Sequence, residues 1–240
     1  MIDARRGVVV TIPGGRPGAR EAADHVEPFL RDRERWIRGH LASQARQRSA
    51  VAGAAAEELV DGAALRFRGE LHLLRIEVAP AGARRSSVLV GWTASGPSPT
   101  NGPGGRELVV RLARADRRRL ARVLEAWLRD RAAIDVEAAV ARHGSALGVT
   151  PSHLALRDPR TRWGSAGRTG RIALSWRLVL APPEALETVV VHELAHLRVF
   201  GHGPDFWALV AGRIPDHKVW RRWLRTHSVE LHATLAANEA

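Results

Sequence analysis

Two rhythms of apolar and polar residues run along this chain. Up to about residue 112, short strand-like runs dominate, interrupted by one helical stretch; beyond it, apolar positions three and four apart prevail. Val8, Val9, Val10 and Ile12 form a β-branched run that Pro13-Gly-Gly ends, which predicts a strand and a turn. Phe29, Leu30, Trp36, Ile37 and Leu41 then make the apolar stripe of a helix over 28–44, with Pro28 suited to its first turn and Trp36 directed to the core. Residues 65–78 predict two strands turning at Arg68-Gly69-Glu70, and 87–93 a third. His72 falls among apolar neighbours and is expected on a strand surface. Glycines and prolines over 95–105 disfavour helix and strand and predict a loop, which 107–112 leaves as another strand.

Helical spacing takes over after that loop. Leu120, Val123, Leu124, Trp127 and Leu128 predict a helix that Asp116 would cap and that would end at His143, before Gly144. Residues 153–157 alternate like a strand. Ala166-Gly-Arg-Thr-Gly170 is a turn, and 171–178 alternates with Ile172, Leu174, Trp176 and Leu178 on one face. Ala181-Pro-Pro-Glu184 opens a helix, with Glu184 and Glu187 at its positive end. Leu186, Val190, Leu194 and Leu197 would face the core, and Gly201 would terminate it. Two further helices start at Gly203-Pro204-Asp205 and Pro215-Asp216. The order of elements predicts an α+β fold: a β-rich N-terminal region over 1–105, then a helical and β-hairpin domain over 106–240.

Composition narrows the chemistry. At 240 residues with 45% hydrophobic and 26% charged positions, the chain can bury a core of ordinary soluble type. It has no cysteine, so any metal must be held by histidines and carboxylates. The formal net charge is +12 and Lys218 is the only lysine, so the excess is arginine, fitting either a solvated surface or a polyanion. No apolar run approaches the roughly 20 residues of a membrane helix, and the N-terminus lacks the apolar core of a signal peptide. A cytoplasmic protein with no membrane partner is expected.

Against that background one motif stands out. His192-Glu193-Leu-Ala-His196 places two imidazoles four residues apart on a predicted helix, on the same face. Glu193 lies beside them as a carboxylate base, and His202 follows beyond the predicted helix end. Three protein ligands, one open position and a base are the parts of a mononuclear zinc hydrolase. His202 is the favoured third ligand, with Asp205, His217 and Glu230 as alternatives. Metzincins need a glycine where Val199 stands and a later methionine turn; Met1 is the only methionine, which excludes that subclass.

Several stretches together resemble one family. Arg162-Trp-Gly-Ser165, the run from Ser175 to Glu184, Val189-Val-Val-His-Glu-Leu-Ala-His196 and His202-x-x-x-Phe-Trp207 are similar to the YgjP-like metallopeptidases, relatives of the SprT-like and minigluzincin-type zincins. The match is strongest over 155–225 and looser upstream, at Glu34-Arg-Trp-Ile-Arg38 and Val60-Asp-Gly62. The resemblance implies a zincin-like fold, one zinc ion at His192, His196 and His202, and a catalytic Glu193. Ala166 stands where the family usually has a cysteine, which removes any role assigned to that thiol.

The resulting expectation is a zinc metallopeptidase acting on a protein or peptide substrate. The strand over 171–178 would pair with an extended substrate. Arg162, Trp163, Gly164, Ser165, Arg177 and His217 are the candidate substrate-binding residues, and with no tyrosine in the chain the oxyanion would fall to Arg162, Arg177 or His217. A metal-dependent nucleotide phosphohydrolase is one alternative. A DNA-associated, SprT-like protease is the other, with nucleic acid held by the arginines at 117–122 and at Arg221-Arg222.

Overall fold

The computed structural model describes residues 59–93, 105–113, 116 and 119–235, and scattered positions between 2 and 45. The chain divides into two compact units, 1–50 and 51–240. In the first, Ile2–Asp3 pairs antiparallel with Gly7–Val8, and the described positions between 26 and 45 are helical. Trp36, residues 9–12 and residues 95–104 of the expected loop lie outside the described residues.

The second unit begins with β1 (Ala64–Phe67), β2 (Glu70–Val78), β3 (Ser87–Thr93) and β4 (Gly105–Leu112). They form one mixed sheet in the order β1-β2-β4-β3, parallel only between β2 and β4. The expected boundary at 105/106 thus falls at the head of a strand hydrogen-bonded on both sides to strands that precede it. Alternation turns Leu65, Phe67, Leu74, Val88, Leu108 and Val110 to one buried face. That face shares a core with Leu124, Leu128, Ala132 and Val136 of helix α1 (Leu120–Leu147). Each such buried leucine is worth roughly 1.5–3 kcal/mol.

His72 is a correction: it is 2% exposed, not on a surface. His72 and Leu74 lie on the inward face of β2, so the His72 ring meets Phe67 edge-on at 5.7 Å and burial lowers its pKa. α1 also departs from expectation at both ends. Asp116 does not cap it, accepting instead a hydrogen bond from Ser86 Oγ at 2.7 Å. The helix continues through Gly144, and the left-handed C-cap is Gly148, φ +64°.

Three short strands follow: β5 (His153–Arg157), β6 (Gly164–Ala166) and β7 (Arg171–Ser175). β7 is central, parallel to β5 and antiparallel to β6. The expected strand over 171–178 therefore ends at Ser175, and both its edges are taken. Ser175 Oγ accepts the Arg177 amide and starts a 3-10 turn over Trp176–Leu180, all five residues of which are buried.

The tip of the β1–β2 hairpin hooks onto this turn. Arg68 and Gly69 both have positive φ, +48° and +83°, as a two-residue type I′ hairpin requires. Their amides donate to the carbonyls of Val179 and Leu180 at 2.8 and 3.0 Å. A Cβ on Gly69 would stand 2.8 Å from the Pro182 ring, so only glycine permits this approach. The first sheet thereby holds the start of α2 (Pro183–Ala195), which α3 (Pro204–Arg213) and α4 (His217–Ala233) follow. α2 is buried on two sides. Ala185, Leu186, Val190 and Leu194 join the main core, while Val191 and Ala195 pack with Phe206, Val210 and Ile214. No described helix is long and apolar enough to cross a membrane.

Candidate metal centre

His192 and Glu193 occupy the last turn of α2, and His196 is its C-cap residue. The helix ends earlier than Gly201. After Ala195 the bonds tighten to i→i+3, with Leu197 N donating to Leu194 O and Arg198 N to Ala195 O, both 3.0 Å. Gly201, φ +91°, then lies in the loop that returns His202 towards the helix. His202 Nε2 comes to 3.1 Å from His192 Nε2, and one ligand nitrogen from each of the three histidines lies within 4.8 Å of the others.

This donor set fits a zinc ion. Two nitrogens bound at about 2.0 Å to one tetrahedral metal stand roughly 3.3 Å apart, close to the His192–His202 separation. His196 Nδ1 donates to the Val199 carbonyl at 3.4 Å, leaving Nε2 as the lone-pair nitrogen. Burial, then the charges of His196, His202 and Arg221, holds His192 down to about 3, and burial also lowers His196. Imidazoles kept neutral present lone pairs, as a metal needs.

Phe206 forms the floor. Fully buried, it stacks on His196 at 4.5 Å and meets His192 and His202 edge-on at 4.9 and 4.8 Å. Trp207 flanks His192 and His202, each at 5.8 Å between ring centroids. The sequence singled out Phe206 only within the stretch that carries the family resemblance; the four-residue interval from His202 was the available signal, because it brings the ring one helical turn from the loop that carries that histidine.

Glu193 is 6% exposed. Burial pushes its carboxyl up to about 7, with the Arg162 guanidinium pulling the other way. The wall beside it is β6: a Cβ on Gly164 would stand 2.6 Å from Glu193 Oε1. Among the described residues no strand pairs with the outer side of β6, so its free edge runs past the carboxylate.

The other expected site residues divide into two groups. Arg162, Trp163, Gly164 and Ser165 lead into or form this edge. Arg162 is exposed, Ser165 pairs with Ala173, and the Trp163 ring stacks on His232 at 4.5 Å. Arg177 and His217 are turned inward. Arg177, 5% exposed, binds both Asp158 oxygens at 2.7 and 3.0 Å and donates to the carbonyls of Leu231 and Thr234. Its guanidinium is committed within the fold. His217, 4% exposed, donates from Nδ1 to the Ile214 carbonyl and stacks on Trp207 at 5.5 Å. Of the alternative third ligands, Glu230 is paired with Arg66 and Asp205 is exposed.

Neither the curated proteins nor the solved structures contain a significant match to this chain. A family model described as the YgjP-like metallopeptidase domain matches residues 1–227. That match spans nearly the whole sequence and includes every residue of the histidine cluster, so the chain belongs to the YgjP-like metallopeptidase family.

Proposed function

We propose that this family member is a zinc-dependent peptidase in which His192, His196 and His202 hold one ion and Glu193 is the general base. The observation that carries the reading is three imidazole donors within 4.8 Å of one another, with a buried carboxylate on the same helix turn. When bound there, zinc supplies Lewis acidity, polarising the scissile carbonyl and making water acidic. Glu193 takes the proton of the attacking water and passes it to the leaving amide nitrogen. A carboxyl raised to about 7 can both accept and release a proton near neutrality.

The substrate edge is β6 rather than β7, since β7 is paired on both sides. An extended peptide added along Gly164–Ala166 would lie next to the glycine against which Glu193 packs, one strand spacing away. Backbone addition accepts a chain through its peptide groups, which favours an unstructured protein segment as substrate.

The test is Glu193→Gln. The variant should bind zinc as the wild type does and lose roughly 10²–10⁴-fold in turnover of an unfolded protein substrate. Metal content is read by elemental analysis and cleavage by electrophoresis. Wild-type turnover in this variant removes Glu193 from the mechanism.

A further inference from the structure

Three exposed arginines lie along the substrate edge and beside the rings next to the histidine cluster, and the charge of one of them, Arg162, reaches Glu193. Arg221, on the exposed face of α4, stands 4.3 Å from the centroid of Trp207, the ring that flanks His192 and His202. Arg162 sits two residues before Gly164, where the substrate edge meets Glu193. Arg168, in the turn beyond the other end of β6, lies 5.4 Å from the centroid of Phe200, two residues before His202. All three are exposed, and none makes an ion pair among the described residues. Exposed arginines without an ion pair also occur elsewhere among the described residues, Arg84 and Arg171 for example, so it is the place beside the site that singles these three out.

We propose that the site selects an acidic peptide, with Arg162, Arg168 and Arg221 receiving Asp or Glu side chains on either side of the scissile bond. The inference rests on the peptidase reading and names its substrate class. A guanidinium offers a planar fork of donors that matches a carboxylate, and one left unpaired beside a site attracts anions to it. Spacing favours a peptide over a compact polyphosphate. Arg162 and Arg168 flank a three-residue strand that is roughly 10 Å long, so they address charges spread along an extended chain rather than one point.

The experiment uses zinc-loaded full-length protein and three labelled peptides of one backbone, carrying Glu, Gln or Lys at the positions flanking the central bond. Binding is followed by fluorescence anisotropy on Glu193→Gln, and cleavage by chromatography on the wild type. The Glu peptide should bind about tenfold more tightly than the Gln peptide, with the advantage shrinking as salt is added. Arg162→Ala and Arg221→Ala should each narrow the ratio, and the triple Arg→Glu variant should invert it in favour of Lys; unchanged zinc content shows that these variants remain folded. Equal binding of the Glu and Gln peptides, or a ratio unmoved by the triple variant, overturns the proposal. So does ATP binding more tightly than the Glu peptide and disappearing in the triple variant, which would assign the arginines to phosphate. Cleavage without charge preference removes this inference alone. Charge-selective binding without any cleavage supports the acidic-peptide assignment and removes the hydrolase reading instead.

Discussion

At Gly164 a single added methyl group would stand 2.6 Å from Glu193 Oε1 and 2.8 Å from its Cγ, inside van der Waals contact. Either β6 or the carboxylate must then move. Gly164→Ala is expected to retain zinc while losing about 10²-fold in kcat, since an ångström of misplacement near the chemistry costs about that much; wild-type kcat would show that the carboxylate tolerates the shift. His232 gives a second residue-scale prediction, in stability. Its Nε2 is buried without a hydrogen-bond partner, and burial, reinforced by Arg177, lowers it to about 4. The folded state therefore binds a proton less readily than the unfolded chain, whose histidines titrate near 6.5. Stability from this group is complete above about 6.5 and is lost as pH falls towards 4, by roughly 3 kcal/mol. Subtracting the urea-unfolding profile of His232→Phe from that of the wild type should reveal this slope; parallel profiles would refute it. The sequence singled out Gly164 as a candidate substrate-binding residue but not its contact with Glu193, and His232 not at all. A glycine in Arg-Trp-Gly-Ser and a histidine near a helix end carry no mark of what they touch.

At the scale of elements, the hydrophobic pattern placed strands and helices but not all of their ends. β3 and β5 occupy the expected residues, and the Arg68-Gly69 turn is where glycine implied it. The strand over 171–178 fails at Ser175 because alternation there outlasts the extended backbone: Trp176 and Leu178 are still buried, but from a 3-10 turn. α2 stops at Ala195 although helical spacing continues to Leu197, since tightened bonds redirect the chain before Gly201. Arg177 is the consequence for function. Expected at the substrate, it instead ties that turn to Asp158 and to the C-terminal end of α4, whose His232 supports Trp163. Burial alone would raise the Asp158 carboxyl, but the Arg177 hydrogen bonds and charge overcome it and hold it below its ordinary range. Asp158→Ala leaves a buried guanidinium uncompensated and should cost about 3 kcal/mol or more, measured by urea unfolding. Loss of less than about 0.5 kcal/mol, the scale of an ordinary surface substitution, would place the clamp among the interactions worth little.

Across the whole molecule, the metal should stabilise as well as catalyse. The three histidines of the proposed site, from α2 and the loop after it, come together only in the folded chain, so zinc held there would favour the native state over the unfolded one. With free zinc at about a thousand times its dissociation constant, the stabilisation is about 4 kcal/mol, and chelation should lower Tm accordingly. An unchanged Tm in the absence of zinc, with binding demonstrated in its presence, would mean equal affinity for both states. The family assignment also lives at this scale, and the match over 1–227 agrees with the resemblance carried by the Arg-Trp-Gly-Ser, His-Glu-x-x-His and Phe-Trp stretches. What the sequence determined by itself is local: two imidazoles one helical turn apart, a carboxylate between them, a third histidine past a glycine, and no cysteine to compete for metal. Those follow from helix periodicity and side-chain chemistry, which need no knowledge of distant residues. The tertiary structure decided the rest. It brought Gly164 against Glu193 and Phe206 beneath all three imidazoles, set Arg221 over Trp207, and turned Arg177 and His217 inward. Such contacts join residues far apart in the chain, and they are selected by how buried surfaces fit together, a property that no single stretch of sequence encodes.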